Sequence, residues 1–309
     1  MRKVIKGITA SLVLLPVLAS SSQQVHAATA EKIIPTTHPI IVTYNARQMD
    51  LLGAKADLKG GSVYVPLRGV AQAMGASVQY SDGKVTLSKE ANSVELKAGS
   101  KIATINGNDI NFAQPMYSQN GRTMVPLRLI AEAFEEKVEW DGELDYVWIG
   151  NKEVPDIETI IKPKSIDPIK VYFKGYERLL TSYVDGRMVN LDEMMLFSKR
   201  DFPLKVNGIT YYRINIVKSN KNNAYLRSIS NVPNSGVSYL VGNGDVRLRS
   251  DVKPFRVKDS SYTIQYIPIA SRQDYSKGFT DWGKFSYEDI DYIQIRRDYH
   301  FALIFDLLN

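Results

Sequence analysis

Two arginines hold matching places in two similar stretches of the sequence, and their side chains could bind an anion. Arg68 lies in VPLRGVAQAMGASVQY and Arg128 in VPLRLIAEAFEEKVEW, 60 residues further on. A guanidinium group can hold a carboxylate or a phosphate through paired hydrogen bonds. Each arginine could instead hold carbonyl groups or an acidic side chain of its own segment. Because the residue recurs at the same place, this structural role is favoured.

Aromatic side chains of the second half are further candidate ligand contacts, because their flat rings can stack on sugar rings and their polar edges can bond hydroxyl groups. The candidates are Tyr211, Tyr212, Trp282 and Tyr287. Of two adjacent tyrosines in a strand, one points inward, and a tryptophan in a small domain is usually a core residue. The core interpretation applies equally to Trp140 and Trp148.

Residues that could carry out catalysis are sparse. The chain has no cysteine and three histidines, so thiol nucleophiles and thiolate metal sites are excluded. The motifs G-x-S-x-G and H-E-x-x-H and a phosphate-binding glycine loop are absent from the sequence. We therefore expect no catalytic residue, no cofactor, no metal and no enzymatic activity. The alternative is a hydrolase whose distant carboxylates come together in the fold, as in glycosidases.

Adjacent acidic residues do not change this expectation. Asp192 and Glu193 lie side by side in a predicted helix, where their side chains diverge by roughly 100° and suit the first turn. The acidic stretch Glu288–Asp291 is typical of a solvated turn.

The first 27 residues have the three parts of a secretory signal peptide. A basic start, MRKVIK, precedes the apolar run GITASLVLLPVLASSS, and small residues follow around Ala27. We expect cleavage after Ala27, with Ala30 as the second choice. The mature protein is then secreted, without a transmembrane segment. Since no sortase-type signal is found, attachment to a cell wall would be non-covalent.

The first repeated stretch predicts a strand, a short helix and a hairpin. Pro66 ends the strand GGSVYV and suits the first turn of a helix. The apolar face of that helix has the spacing i, i+3, i+4, i+7 and consists of Leu67, Val70, Ala71 and Met74. Gly75 suits a left-handed helix end, and Asp82-Gly83 predicts the turn of a hairpin.

The second stretch predicts the same elements. Its apolar face consists of Leu127, Ile130, Ala131 and Phe134. Glu135 replaces the glycine, so we expect this helix to end less cleanly. Asn45-Ala46 and Asn106-Gly107 predict a further hairpin before each strand. Each unit is thus hairpin, strand, short helix and hairpin, and because neither unit could bury much alone, we expect two units to share a core.

These motifs, in this order, resemble the copper amine oxidase N-terminal, or stalk, domain family. The resemblance rests on N-G in a hairpin, V-P-L-R, a helix ending in A-E-A, and K-V-E-W-D, and it covers residues 39–150. That family is common in exported and wall-associated proteins of Gram-positive bacteria. The resemblance implies a secreted α+β spacer or attachment module. It does not imply copper, because only His38 and His300 follow the predicted cleavage site.

The remaining chain predicts a connector and a second domain. Residues 151–168 contain three prolines among alternating charges, which is typical of an extended linker. We expect a stalk domain at 28–150, a linker at 151–168 and a strand-rich domain of no recognised family at 169–309. The fold class is α+β. Within the last domain, GYERLLTSYV and NLDEMMLFS predict short helices, the second with Asn190 as its N-cap.

Charge gives little information about partners. Residues 151–309 carry 24 Lys and Arg against 19 Asp and Glu, without a dense basic run, so we expect no nucleic-acid partner.

The expected function is that of an exported, non-catalytic cell-envelope protein whose second domain binds a wall polymer or a protein partner. The alternatives are a wall-active hydrolase with a divergent catalytic C-terminal domain and a secreted protein-binding effector or inhibitor.

Overall fold

The computed structural model describes residues 31–34, 39–112, 115–242, 244–250, 255–256 and 261–308. The predicted signal peptide, residues 1–27, and His38 lie outside the described residues. Lys32–Asn309 form one compact unit. Among the described residues, no helix has both the length and the apolar character needed to cross a membrane.

The first half consists of short strands and two short helices. The strands are β1 (Ile41–Tyr44), β2 (Arg47–Gln48), β3 (Asp57–Lys59), β4 (Ser62–Pro66), β5 (Ser77–Ser81), β6 (Lys84–Lys89), β7 (Asn92–Lys97), β8 (Ile102–Ile105), β9 (Asn108–Asn111), β10 (Tyr117–Gln119), β11 (Arg122–Pro126), β12 (Val138–Asp141) and β13 (Tyr146–Ile149). The helices are α1 (Leu67–Ala73), between β4 and β5, and α2 (Leu127–Ala133), between β11 and β12.

Proline stands at both transitions from strand to helix. Pro66 has φ −65° and Pro126 has φ −63°, and a helix begins at the next residue in each case. The predicted apolar faces of both helices are buried. The predicted turns at Asn45-Ala46, Asp82-Gly83 and Asn106-Gly107 each join two paired strands, and both of their residues have positive φ. These local predictions from the sequence are therefore confirmed.

The expectation that α2 ends less cleanly than α1 is wrong. Glu135 has φ 59° and Gly75 has φ 69°, so both take the left-handed conformation. The closing hydrogen bonds also match, with Ala76 N to Ala71 O and Glu136 N to Ala131 O both at 2.8 Å. The strained backbone at Glu135 costs about 1 kcal/mol. The buried face of α2 and the bonds that the Glu136 carboxylate accepts from Tyr44 and Lys89 offset it.

The strands of the first half form three sheets around one core. Their orders are β12-β13-β1-β2, β10-β11-β4-β3 and β5-β6-β7-β8-β9. In the central sheet β4 and β11 run antiparallel, with Val65 opposite Val125. Each helix contacts the strand that precedes the other helix, α1 on β11 and α2 on β4. One hydrophobic cluster therefore includes buried residues from both repeated stretches.

The second half is strand-rich. Its elements are α3 (Ile157–Ile160), β14 (Lys164–Ser165), β15 (Thr181–Val184), β16 (Arg187–Asn190), β17 (Glu193–Ser198), β18 (Leu204–Val206), β19 (Ile209–Lys218), β20 (Ala224–Ser230), β21 (Gly236–Val241), β22 (Asp245–Ser250), β23 (Phe255–Arg256), β24 (Thr263–Pro268), β25 (Tyr292–Ile295) and β26 (Ala302–Asp306). Short 3-10 helices lie at Asp167–Phe173, Glu177–Leu180, Tyr275–Lys277 and Tyr287–Asp289.

Three sheets organise this half. Six strands follow the order β14-β17-β26-β25-β21-β22, five follow β18-β19-β20-β24-β23, and β15 pairs with β16. A large hydrophobic cluster draws side chains from both larger sheets. The protein is thus a strand-rich α+β fold with several sheets.

Two predicted helices of the second half are corrected. NLDEMMLFS forms no helix, because Glu193–Ser198 are strand β17, paired in parallel with β26. Met194 and the neighbouring Met195 are both buried. A strand covered on both faces loses the alternating pattern that distinguishes it from a helix. GYERLLTSYV is only in part helical, since the 3-10 helix Glu177–Leu180 gives way to strand β15.

Residues 151–168 contact the second half over much of their length. Ile157 and Ile166 are buried in two of its clusters, and Asp156 forms a parallel bridge with Lys205. This stretch is therefore fixed to the protein instead of spanning solvent. The domain boundaries stay a prediction.

A mixed apolar and polar junction joins the two halves. Tyr146 and Trp148 of β13 share a buried cluster with Ile229 and Ile264 of the second half. The buried guanidinium of Arg213 donates to the carbonyl oxygen of Leu144 at 2.7 Å and to that of Pro39. We call these contacts the Arg213 junction.

Candidate functional site

The predicted ligand contacts lie in different parts of the protein. Arg68 and Arg128 stand in the first turns of α1 and α2, Tyr211 and Tyr212 belong to β19, and Trp282 and Tyr287 lie between β24 and β25.

The candidates on β19 have structural surroundings. Tyr211 is fully buried in the main cluster of the second half. The ring of Tyr212 packs edge-on against Tyr262, with the ring centroids 4.8 Å apart. Its carbonyl oxygen accepts a hydrogen bond from the Tyr146 hydroxyl. Tyr211 thus belongs to the core and Tyr212 to the surroundings of the Arg213 junction.

Trp282 and Tyr287 are both half-buried. The Arg272 guanidinium lies over the Trp282 ring, 5.9 Å from its centroid. A hydrogen bond to Glu288 raises the pKa of Tyr287. Trp282 and Tyr287 thus lie in the second half, whereas Arg68 and Arg128 lie in the first.

The two tryptophans of the repeated stretches differ from each other. Trp148 is buried, as the core interpretation requires. Trp140 is 48% exposed, so the core expectation is wrong for it. Tyr80, 60 residues before Trp140, is 51% exposed. Both residues belong to edge strands of their sheets, β5 and β12, where a side chain that points away from the core meets solvent.

Arg68 and Arg128 also have different neighbours. The Nε atom of Arg128 lies 4.0 Å from an oxygen of Glu132, one helical turn further on, and both side chains are exposed. The residue that corresponds to Glu132 in the first stretch is Gln72. Arg68, which is exposed, therefore faces no carboxylate at that place, and it lines a cavity instead.

This cavity has a volume of about 380 Å³. Its wall includes Leu52, Pro66, Arg68, Tyr80, Arg122 and Thr123. The Nη2 atom of Arg122 donates to the carbonyl oxygen of Leu52 at 3.2 Å, which holds the guanidinium at the rim. Arg122 begins β11 directly after the turn Asn120-Gly121. Two guanidinium groups thus share the cavity, and among the described residues that line it none is acidic.

A second cavity, of about 400 Å³, lies beside the first. The two are adjacent because Tyr80 and Thr123 line both. Hydroxyl groups on the wall of the second cavity come from Tyr80, Ser81, Tyr117, Ser118 and Thr123. We call the two cavities together the Tyr80 groove.

The environment of Tyr117 keeps its hydroxyl protonated. That hydroxyl donates to Oδ2 of Asp57 at 2.8 Å, and the Lys59 ammonium lies over the ring, 4.3 Å from its centroid. Burial and the hydrogen bond to Asp57 raise the pKa of Tyr117 to about 12. The charge of Lys84, on the same wall, is balanced by Glu95 at 2.7 Å. The second cavity therefore combines hydroxyl groups with apolar wall from Val85, Ala98 and Met116, and its charged lining residues include both Lys84 and Asp82.

Sequence reasoning found Arg68 but missed Tyr80 and Arg122. The signal for Tyr80 was its correspondence with Trp140, because an aromatic residue recurs at the exposed end of each hairpin. Arg122 corresponds to Ser62, so no repeated residue marked it. Its position beside Arg68 arises only from the pairing of β4 with β11.

The second half contains a polar cleft of about 450 Å³. Its charged lining residues are Asp156, Glu158, Asp185, Lys205, Asp298 and the titratable His300. The four carboxylate side chains are exposed, Lys205 lies 3.6 Å from Asp156, and Asp298 accepts a bond from the Tyr183 amide. Across the described ranges, no three His, Cys, Asp or Glu residues are arranged to hold a metal ion.

Comparison with known proteins relates the first half to a family. Residues 43–149 match the family described as the copper amine oxidase N-terminal domain. The match runs from β1 to the end of β13 and includes the Tyr80 groove. The resemblance predicted from the repeated motifs is therefore confirmed for this part of the chain. A search of curated proteins finds no match.

Proposed function

We propose that the protein is an exported, non-catalytic cell-envelope protein. Residues 39–150 serve as a stalk or attachment module, and the second half binds a wall polymer or an envelope protein. The observation that carries the proposal is the family match over residues 43–149. A domain of that kind is consistent with a non-catalytic, stalk-type module.

The stalk role takes its physical basis from two repeats that share a core. We propose that the stretches around α1 and α2 form one tandem module, since β4 pairs with β11 and each helix packs across the other stretch. Such a module is stiff along its length because neither repeat can separate without exposing the shared cluster. The Arg213 junction supports a stiff connection to the second half.

The proposed location follows from the sequence. Residues 1–27 act as a secretory signal, the mature protein is extracellular, and any association with a Gram-positive wall is non-covalent. Nucleic acid is not a partner in this proposal.

The test uses the mature chain, residues 28–309, mixed with purified Gram-positive cell walls and sedimented at low and high salt. The proposal expects the protein to be retained without release of soluble wall fragments. Loss of retention at high salt would indicate a charged polymer as the ligand. Absence of retention contradicts wall attachment and favours the protein-binding effector.

A hydrolase is the second candidate, and the polar cleft is the observation that favours it. Glycosidases use two carboxyl groups that flank one bond, and Asp185 and Asp298 line the same cleft. If soluble fragments are released from the walls, the variants Asp185→Asn and Asp298→Asn decide the matter. If the active site lies in this cleft, either change should abolish the release of wall fragments. A contaminating hydrolase would be unaffected.

A further inference from the structure

We propose that the Tyr80 groove binds a linear anionic saccharide, in which Tyr80 stacks on a sugar ring while Arg68 and Arg122 hold its carboxylate or phosphate group. The inference assigns a ligand class to the attachment module and in that sense rests on the proposed function. It is tested with soluble oligosaccharides, so its outcome is independent of wall binding.

The charge of the first cavity selects an anion. Arg68 and Arg122 both line it, and its lining within the described part of the chain contains no acidic side chain. A guanidinium binds carboxylate and phosphate groups through a planar fork of donors, and such charge-assisted bonds are stronger than neutral ones. Arg122 is already held by the carbonyl oxygen of Leu52, so part of the cost of ordering its side chain is met before a ligand arrives.

The aromatic ring and the second cavity select a saccharide. Tyr80 is half-exposed and lines both cavities, so a ring stacked on it can extend to either side. In the second cavity hydroxyl groups stand beside apolar side chains, Glu95 balances Lys84, and Asp82 accepts a bond from the Ser81 hydroxyl. Apolar surface suits the face of a further sugar ring, and the hydroxyl groups beside it suit the hydroxyl groups of that ring. Together the cavities have about the size of sites that take small organic ligands, and their adjacency favours a chain longer than one ring.

The second repeated stretch provides an internal comparison. Its arginine, Arg128, lies near Glu132. The residue that corresponds to Arg122 is Ser62, so a second arginine is missing there. The exposed aromatic residue, Trp140, is present. Stacking would therefore be available at that place, but the pair of guanidinium groups is not. Arg128 and Trp140 are consequently matched controls for Arg68 and Tyr80.

Isothermal titration of the mature chain with three probes tests the proposal. The probes are tetragalacturonate, which carries a carboxylate on each sugar ring, neutral maltotetraose, and tripolyphosphate, which is anionic but has no ring. We expect tetragalacturonate to bind at least about tenfold more tightly than either other probe, and its affinity to fall as salt is added. The proposal is overturned if maltotetraose binds as tightly as tetragalacturonate, or if tripolyphosphate is the only one of the three probes that binds.

Six single variants, two of them matched controls, locate the binding. Arg68→Ala and Arg122→Ala should each weaken tetragalacturonate binding about tenfold or more, since each removes charged hydrogen bonds. Tyr80→Ala should weaken it to a similar extent, whereas Tyr80→Phe, which keeps the ring, should change it less than about threefold. The matched variants Arg128→Ala and Trp140→Ala should leave it unchanged. Equal losses at Arg68 and Arg128 would show diffuse charge attraction and contradict a site in the Tyr80 groove.

Discussion

Arg247 and Arg249 lie two residues apart on β22, and both side chains are buried. The guanidinium of Arg249 forms two bonds of 2.8 Å with the two carboxylate oxygens of Asp274, which is itself 1% exposed. The guanidinium of Arg247 lies 3.6 Å from the centroid of the Phe279 ring. These contacts fix the loop that follows β24 onto the six-stranded sheet. Arg247 donates to Asp281 at 3.0 Å, so the carboxylate of Asp274 compensates chiefly the buried charge of Arg249.

Removal of that carboxylate should destabilise the protein strongly. We expect Asp274→Ala to lower the free energy of unfolding by about 3–5 kcal/mol, because a buried arginine is left without its partner. Chemical denaturation followed by tryptophan fluorescence measures the change. The matched control is Glu132→Ala, which removes the exposed partner of Arg128 and should cost less than about 0.5 kcal/mol. Similar costs at the two positions would disprove the distinction.

The protonated hydroxyl of Tyr117 contributes stability that is lost at alkaline pH. Its pKa is raised to about 12 in the folded protein by burial and by the bond to Asp57, against 10.0 for an ordinary tyrosine. The stabilisation is therefore complete below pH 10 and is lost as the pH rises toward 12. We expect the stability difference between the wild type and Tyr117→Phe to be largest below pH 10 and to shrink between pH 10 and pH 12. Urea unfolding at a series of pH values measures it. A constant difference would rule out this role of the proton.

At the scale of elements, the sequence predicted turns reliably, but it did not predict features that depend on contacts between distant segments. Turn residues predicted the hairpins at Asp82-Gly83 and Asn106-Gly107, because these residue types accept positive φ more readily than others. Strand β17 was missed because its burial on both faces depends on neighbours that no local pattern reveals. The Tyr80 groove was not predicted for a related reason, because Arg122 reaches it only through the pairing of β4 with the distant strand β11.

The two helix ends allow a paired test. Gly75→Ala should lower the free energy of unfolding by about 1 kcal/mol, because alanine is strained in the left-handed conformation, and nothing lies within 4 Å of the added Cβ atom. Glu135→Gly should raise it by about 0.5 kcal/mol, since relief of strain exceeds the entropy that glycine loses. Thermal denaturation measures both. Destabilisation by Glu135→Gly would show that the Glu135 side chain makes a contribution larger than the strain.

At the scale of the whole molecule, the Arg213 junction connects the two halves. Arg213 is buried and donates to carbonyl groups of Leu144 and Pro39, both in the first half. The two halves are therefore held by a polar anchor as well as by the apolar cluster around Tyr146.

Loss of this anchor should separate the halves in calorimetry. We expect the mature wild type to unfold in one transition and Arg213→Ala to show two, the lower one shifted by several degrees. The control is Arg187→Ala, because Arg187 is exposed and is the first residue of β16. This variant should keep a single transition. Two transitions already present in the wild type would mean that the junction does not couple the halves.

Strand β1 pairs with β13 in parallel, and Ile41 lies opposite Tyr146. The chain enters β1 at one end of this ladder and leaves β13 at the other. A force that pulls the chain before β1 away from the second half therefore acts along the two strands in opposite directions. Their hydrogen bonds must then be sheared together instead of opening one after another. The first half would thus resist such a force by shear, behind the bonds that Lys32 and Ile34 already form with Asn220 and Lys218 of the second half.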